Sequence, residues 1–260
     1  MGNVSADTPL AIIAGHSHAT CLGVPLLTDD GSSRLVPLTN GDARFLAFTG
    51  AFPRPASFWP ELAVAAVGYA LPVILFWQGN QHVSDFLLCP AQPIDFVLHE
   101  ESDLPINPAA EIVPDLAVHD RLALGMLALD EAIATLRAGG VRRVIIGGTP
   151  PPKGDVEMLR NAITLEAYHF GVIAAQLGFR LEEIPIAEPL LMYKMWRVVQ
   201  RHLEAAAGRQ SAEFLRVPTD AQRDRFLREE FAASDATHAN ALYGARMLDH
   251  LAVHLRSQQA

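Results

Sequence analysis

The chain has 260 residues, half of which are hydrophobic, and a formal net charge of −9 at pH 7. A chain of this length and composition can bury a sizeable core, which excludes an intrinsically disordered protein. Because phosphate binding needs a basic surface and no Lys/Arg cluster offsets the negative charge, we predict no nucleic-acid partner.

Cysteine usage and apolar runs indicate the setting in which the protein works. Cys21 and Cys89 have no metal-binding spacing and suggest no disulfide framework, which favours a reduced, cytoplasmic setting. Residues 1–7 hold no basic region and no long apolar run, so we expect no secretory signal there.

The longest apolar run, residues 62–77, is interrupted by glycine and proline. It is shorter than a membrane span, which needs about 20 residues. It predicts a helix followed by a buried strand, and no membrane span.

The first predicted strand runs from Leu10 to Ala14 and ends at Gly15, after which Ser17 follows in a turn. A short apolar run stopped by glycine is typical of the central strand of a parallel sheet. Comparable apolar runs predict four further strands, at residues 44–48, 71–77, 141–146 and 179–186. Further along the chain, helices are predicted at residues 119–138, 155–177, 190–207, 220–232 and 239–256.

Two stretches lack a regular pattern. Residues 28–40 are predicted to be turn-rich surface chain. Residues 89–117 begin with a proline-rich part without clear periodicity, and so long a stretch predicts a lid or a wall of the pocket.

Elsewhere strands alternate with helices. This alternation predicts one domain over residues 1–260, with an α/β fold of three layers, α/β/α, around a five-stranded parallel sheet.

Three polar clusters are predicted to meet at one rim of this sheet. Ser17 follows the first strand, Asn80 follows the third, and Asp235-Ala-Thr-His238 precedes the last helix. In open α/β sheets ligands bind beyond the carboxyl ends of the strands. A serine nucleophile needs a base and a carboxylate to orient that base, which His238 and Asp235 can supply. The structural alternatives are a turn with a capping serine and a helix N-terminus that favours an acid.

These motifs resemble those of the SGNH hydrolases, the GDSL esterase/lipase superfamily, and the chain is similar to a divergent member. That superfamily has a nucleophilic Ser after the first strand, a Gly after the second, an Asn after the third and Asp-x-x-His near the C-terminus. The resemblance implies a flavodoxin-like sheet, a triad of Ser17, His238 and Asp235, and an oxyanion hole built by Ser17, Gly50 and Asn80. It also implies hydrolysis, or transfer, of an acyl ester. We predict that the substrate is an ester of a small molecule or carbohydrate and that no cofactor is needed.

The chain departs from the family pattern at histidines. His16 stands where the acid of Gly-Asp-Ser-Leu is usual, and His18 stands where the leucine is usual. In the third block Gly79 directly precedes Asn80, and His82 follows. The departures leave the triad intact but alter the expected oxyanion hole. We interpret the three histidines as pocket-lining residues and candidate substrate contacts.

Three other functions remain open at this point. A metal-dependent hydrolase is one, because the residue types of a ligand set are present in His16, His18, His82, Asp235 and His238. The early Asp-x-His of metallophosphoesterases is missing, however, and amidohydrolases need an eight-stranded barrel, so we predict no metal. An acyltransferase or a non-catalytic binding domain could also use this fold, because a fold does not determine a function.

Overall fold

The computed structural model describes residues 8–77, 87–88 and 93–258 of the chain. Its main sheet has six strands. In chain order they are β1 (Ala11–Gly15), β2 (Arg34–Pro37), β3 (Phe45–Thr49), β4 (Val73–Phe76), β5 (Val144–Gly147) and β6 (Glu213–Leu215). Every residue of β1, β4 and β5 is buried, as expected for strands that are covered on both faces.

The sheet has the strand order β2-β3-β1-β4-β5-β6, and the five strands from β3 to β6 are parallel. This order of parallel strands is that of the flavodoxin-like fold, so the predicted α/β class and five-stranded parallel sheet are confirmed. β2 is an addition, because it pairs antiparallel with β3 at the sheet edge where the sequence predicts only surface chain. The topological switch point lies between β1 and β4, at the carboxyl ends of these strands.

Helices cover both faces of the sheet. They are α1 (Phe58–Tyr69), α2 (Asp115–Ala123), α3 (Leu127–Ala138), α4 (Val156–Leu165), α5 (Ala167–Gln176), α6 (Pro189–Arg209) and α7 (Ala241–Ser257). Because side chains alternate along a strand, Ile12 of β1 packs in the core with α1, α3 and α6, whereas Ile13 packs in the core with α7. The three-layer arrangement follows from this alternation.

Shorter elements lie in the connections. Two-residue strands are Ile94–Asp95, Glu111–Ile112, Gln222–Arg223 and Phe226–Leu227. The 3₁₀ helices are Ser17–Leu22, His99–Glu101, Leu124–Met126, Leu181–Glu183, Thr219–Ala221 and Glu229–Phe231. No helix among the described residues combines the length and the apolar character needed to cross a bilayer.

The strand predicted at residues 179–186 is wrong. The segment contains a 3₁₀ helix, and the fifth parallel strand is β6, which comes after α6. Glu182 and Glu183 are exposed and Pro185 has no N–H group to donate, which does not suit a strand of a covered parallel sheet. β6 is held at the sheet edge by an ion pair between Arg143 Nε and Glu213 Oε1, 2.6 Å apart.

The helix predicted at residues 220–232 is also wrong. This segment forms a tight antiparallel hairpin, in which Asp224 and Arg225 have φ angles of 50° and 79°. Tertiary contacts override the helical pattern here. Leu227 is buried and donates its backbone N–H to the Pro152 carbonyl at 2.9 Å, and the ring of Phe226 packs over Gly154.

Two other predicted helices are each interrupted. The helix predicted at residues 119–138 breaks around Gly125, whose carbonyl oxygen accepts a hydrogen bond from Trp77 Nε1 at 3.1 Å. The helix predicted at residues 155–177 breaks at Glu166, whose carboxylate accepts the backbone N–H of Ala236 at 2.6 Å. At each break a polar group contacts a partner distant in sequence, which the apolar periodicity cannot indicate.

Candidate active site

The carboxyl end of β1 leads directly into the segment that holds Ser17. A Cβ atom on Gly15 would overlap with the carbonyl oxygen of Phe76 in β4, so the close approach of the two strands needs glycine. His16 then donates its backbone N–H to the same oxygen at 3.0 Å. Ser17 is half-buried and begins the 3₁₀ helix. The serine therefore lies at the switch point, where flavodoxin-like folds bind ligands.

Asp235 and His238 form a hydrogen-bonded pair in the loop before α7. Nδ1 of His238 lies 3.1 Å from Oδ2 of Asp235 and 3.0 Å from the Thr237 hydroxyl. The backbone N–H groups of Thr237 and His238 donate to Oδ1 of Asp235 at 2.8 and 2.6 Å. A carboxylate at this position favours the tautomer with the proton on Nδ1. Nε2 is then an acceptor, and it is buried without a hydrogen-bond partner among the described residues.

The same hydrogen bonds keep Asp235 charged. Burial disfavours the ionised carboxyl, but the His238 ring and the backbone N–H groups of His238 and Thr237 outweigh that effect. The pKa of Asp235 therefore lies well below its usual value. Asp235 is ionised at neutral pH, and its stabilising effect on the fold is lost only as strong acid protonates it. An ionised carboxylate here can stabilise an imidazolium at His238.

Two contacts bring this pair to the Ser17 segment. The rings of His18 and His238 lie with their centroids 4.5 Å apart. Behind them, α7 crosses the 3₁₀ helix at Gly244, where a Cβ atom would overlap with the carbonyl oxygen of Cys21. The position of the histidine relative to the serine segment thus depends on a glycine in the last helix.

We expect Gly244→Ala to lower the free energy of unfolding by about 1–3 kcal/mol, because the methyl group overpacks against backbone that cannot move alone. The matched control is Gly171→Ala in α5, where a Cβ atom meets nothing within 4 Å. That change should raise the free energy of unfolding by about 0.5–1 kcal/mol, since glycine is unfavourable inside a helix. Urea unfolding followed by circular dichroism measures both, and equal stability of the two variants would contradict the close contact.

Gly50 follows β3 directly and is buried beside the end of β1. Arg54 ties the two strand ends together, because Nη1 donates to the Gly50 carbonyl at 3.2 Å and Nη2 to the Gly15 carbonyl at 3.2 Å. Its guanidinium also stacks 4.6 Å from the ring centroid of Phe58. Arg54 belongs to none of the sequence motifs described above. The role of Gly50 in an oxyanion hole stays a prediction.

Several predicted site residues lie outside the described part of the chain, namely Gly79, Asn80 and His82. Of the other predicted substrate contacts, His18 is buried and His16 packs on Trp77 with ring centroids 4.7 Å apart. Trp77 in turn lies 5.7 Å from Trp59. His16 therefore begins a row of aromatic rings next to Ser17.

The metal-site alternative can be compared with the described residues only. Among them, no three His, Cys, Asp or Glu side chains gather closely enough to hold a metal ion. The set that the sequence suggested also includes His82, which lies outside the described ranges.

The described part of the stretch predicted as a lid or wall, residues 93–117, is held on α6 by charged groups. Nζ of Lys194 is fully buried and donates to Asp95 Oδ1 at 2.8 Å. The carboxylate of Glu101 accepts from the Tyr193 hydroxyl at 2.9 Å and pairs with Arg197 at 2.9 Å. These contacts favour a fixed wall over a moving lid, although its role in the pocket stays a prediction.

Two residues near the triad candidates were missed by the sequence analysis. Glu166 binds the backbone of Ala236, and Lys153 binds the carbonyl oxygens of Ala233 and Asp235. The sequence gives one weak signal for Lys153, which is its position shortly after a predicted strand. It ends the segment Gly-Gly-Thr-Pro-Pro-Pro-Lys, which begins with the last residue of β5. Glu166 gave no signal, because it sits within a continuous helical pattern.

Comparisons with known proteins yielded structural likeness only. No protein-family model matches the chain, and no curated protein has a matching sequence. A candidate platelet activating factor from Streptococcus pneumoniae is 11% identical with a TM-score of 0.46, and the match covers 97% of this chain and 86% of that one. A candidate acylhydrolase from Bacteroides fragilis is 10% identical with a TM-score of 0.47, covering 96% and 88%. The aryl esterase of M. smegmatis is 16% identical with a TM-score of 0.44, covering 95% and 99%. The fold assignment rests on the strand order and not on these matches.

Proposed function

We propose that the chain is a serine hydrolase of the SGNH (GDSL esterase/lipase) type that cleaves a carboxylic ester of a small molecule or carbohydrate. The observation that carries the proposal is the Asp235–His238 pair. Nδ1 of His238 is 3.1 Å from the Asp235 carboxylate, and Nε2 of His238 is buried and unpartnered among the described residues. The His238 ring lies against His18, the residue after Ser17. This arrangement supports a base that accepts the proton of the serine.

The reaction would proceed in two halves. Oγ of Ser17 attacks the ester carbonyl carbon while its proton passes to Nε2 of His238. The tetrahedral intermediate then expels the alcohol, which takes that proton, and leaves an acyl group on Ser17. Water attacks the acyl carbon and gives a proton to His238, which returns it to Ser17 as the carboxylic acid departs.

The developing oxyanion needs hydrogen-bond donors. We propose the backbone N–H groups of Ser17 and Gly50 and the carboxamide of Asn80 for this role. The position of Gly50 beside the end of β1 supports its assignment. Asn80 is proposed on its place in the sequence alone.

The direct test is labelling with a fluorophosphonate, followed by mass mapping of the modified peptide. These reagents trap an activated serine, so we expect modification at Ser17 in the wild-type protein and none after heat unfolding. A folded protein that reacts at no serine would favour a non-catalytic binding domain. Activity that a chelator abolishes and added metal restores would favour the metal-dependent alternative.

Asn80→Ala should lower kcat by about 100- to 1,000-fold with little change in KM, because an oxyanion donor acts mainly in the transition state. The variant should still be labelled by the fluorophosphonate, only more slowly, and keep the wild-type pH profile. Steady-state kinetics on p-nitrophenyl acetate measure the effect. A variant that mainly raises KM would assign Asn80 to ground-state substrate binding instead.

A further inference from the structure

Lys153 is a buried cation that the proposed reaction does not use. It follows the triple proline after β5, and only 5% of the residue is exposed. Its Nζ donates to the carbonyl oxygen of Ala233 at 2.7 Å and to that of Asp235. The same atom lies 3.8 Å from Oδ1 of Asp235. Two of the three N–H donors of the ammonium group therefore bind backbone carbonyl oxygens, and the carboxylate oxygen at 3.8 Å is in ion-pair contact without a hydrogen bond.

All three oxygens belong to the loop that carries the base. That loop is closed on itself, because Ala233 donates its backbone N–H to the His238 carbonyl at 3.1 Å. Glu166 provides a second anchor through the N–H of Ala236. Lys153 is therefore bonded to the chain just before the Asp235–His238 pair, where a shift would move the imidazole.

The charge of Lys153 also acts on the pair. Burial lowers the pKa of Lys153, and the carboxylates of Asp235 and Glu166 partly oppose that effect. The charged or titratable groups that face Asp235 and His238 in the described structure are Lys153, Glu166 and His18. A cation beside Asp235 offsets part of the negative potential that stabilises an imidazolium.

We propose that Lys153 is a positioning residue of the active site. Its ammonium group fixes the Asp235–His238 loop through the carbonyl oxygens of Ala233 and Asp235, and its positive charge lies beside the Asp235 carboxylate that orients the His238 ring. The inference about catalysis rests on the proposed function. The inference about the loop and the charge does not, because the titration of His238 can be followed without turnover.

The experiment compares Lys153→Met with the matched control Arg160→Met. Arg160 also donates to two backbone carbonyls, those of Glu182 and Ile184 at 3.3 and 2.6 Å. Both carbonyls belong to a segment of the chain other than the Asp235 loop. The histidine rings are ¹³C-labelled, and the chemical shift of His238 is followed by NMR against pH. The His238 signal is assigned with a His238→Gln protein. Esterase kinetics are measured on the same samples.

Lys153→Met should raise the titration midpoint of His238 by about half a pH unit or more, since a nearby unit charge is removed from a partly buried site. Its kcat should fall by about 10- to 100-fold because the base is less well placed. The acid limb of kcat/KM should move in the same direction as the NMR midpoint. Arg160→Met should change neither quantity.

Two further variants keep the test decisive. Lys153→Gln retains a hydrogen-bond donor without the charge, and it replaces the Met variant if circular dichroism shows that protein to be unfolded. Lys153→Arg retains the charge and should leave the midpoint near the wild-type value. A folded Met or Gln variant with an unmoved His238 midpoint would overturn the proposal. A moved midpoint in a protein without esterase activity would preserve the inference about Lys153 and reject the proposed function.

Discussion

Ser17→Ala should reduce ester turnover by about three orders of magnitude or more, the loss found when a catalytic serine is removed. The reason is that Ser17 Oγ forms the covalent bond in the proposed reaction. Circular dichroism checks that the variant is folded, so that a loss of turnover reports on the missing hydroxyl. Hydrolysis of p-nitrophenyl acetate by the purified variant measures the loss.

The matched control is Ser257→Ala at the end of α7. The Ser257 hydroxyl donates to the His254 carbonyl at 2.9 Å and lies in the last turn of that helix, so turnover should stay near the wild-type level. Near-normal turnover by folded Ser17→Ala would remove the nucleophile from the proposal. It would then be necessary to consider the metal-dependent alternative or a different serine.

The sequence predicted the centre of the fold better than its periphery. β1, β4 and β5 are short, apolar and bounded by Gly or Pro, so local pattern and tertiary burial agree. Residues 220–232 have a helical pattern but fold as a hairpin, because Leu227 and Phe226 pack on the loop after β5. Residues 179–186 look apolar enough for a strand, yet their exposed acids exclude them from a covered sheet.

For the site, the sequence predicted the local pair and missed its supports. Asp235 and His238 are three residues apart, so a single turn can bring their side chains within hydrogen-bond distance. Arg54, Lys153 and Glu166 reach the site from other elements, and each binds backbone carbonyl or N–H groups of distant segments. Contacts between a side chain and distant backbone leave no spacing pattern, since any residue type can supply the backbone partner.

His238→Ala should also lower turnover at neutral pH by about three orders of magnitude or more, since the serine then loses the base that takes its proton. In the wild-type protein, activity should fall as the pH drops and the imidazole becomes protonated. The variant should lose this acid limb together with its activity, because Asp235 is already ionised throughout that range. The pH dependence of kcat/KM, measured from pH 5 to pH 9, tests both expectations.

The double variant Ser17→Ala/His238→Ala discriminates between a catalytic unit and two independent contributions. Residues that act as a unit are strongly non-additive, so the double variant should be about as active as either single variant. His254→Ala is the control histidine, because its Nε2 lies 2.8 Å from Glu213 at the sheet edge, and it should retain turnover. If the two losses multiplied instead, His238 would act on a step that does not involve Ser17. The Asp235–His238 pair would then serve another purpose than activating the serine, and the proposed acyl-enzyme would have no base.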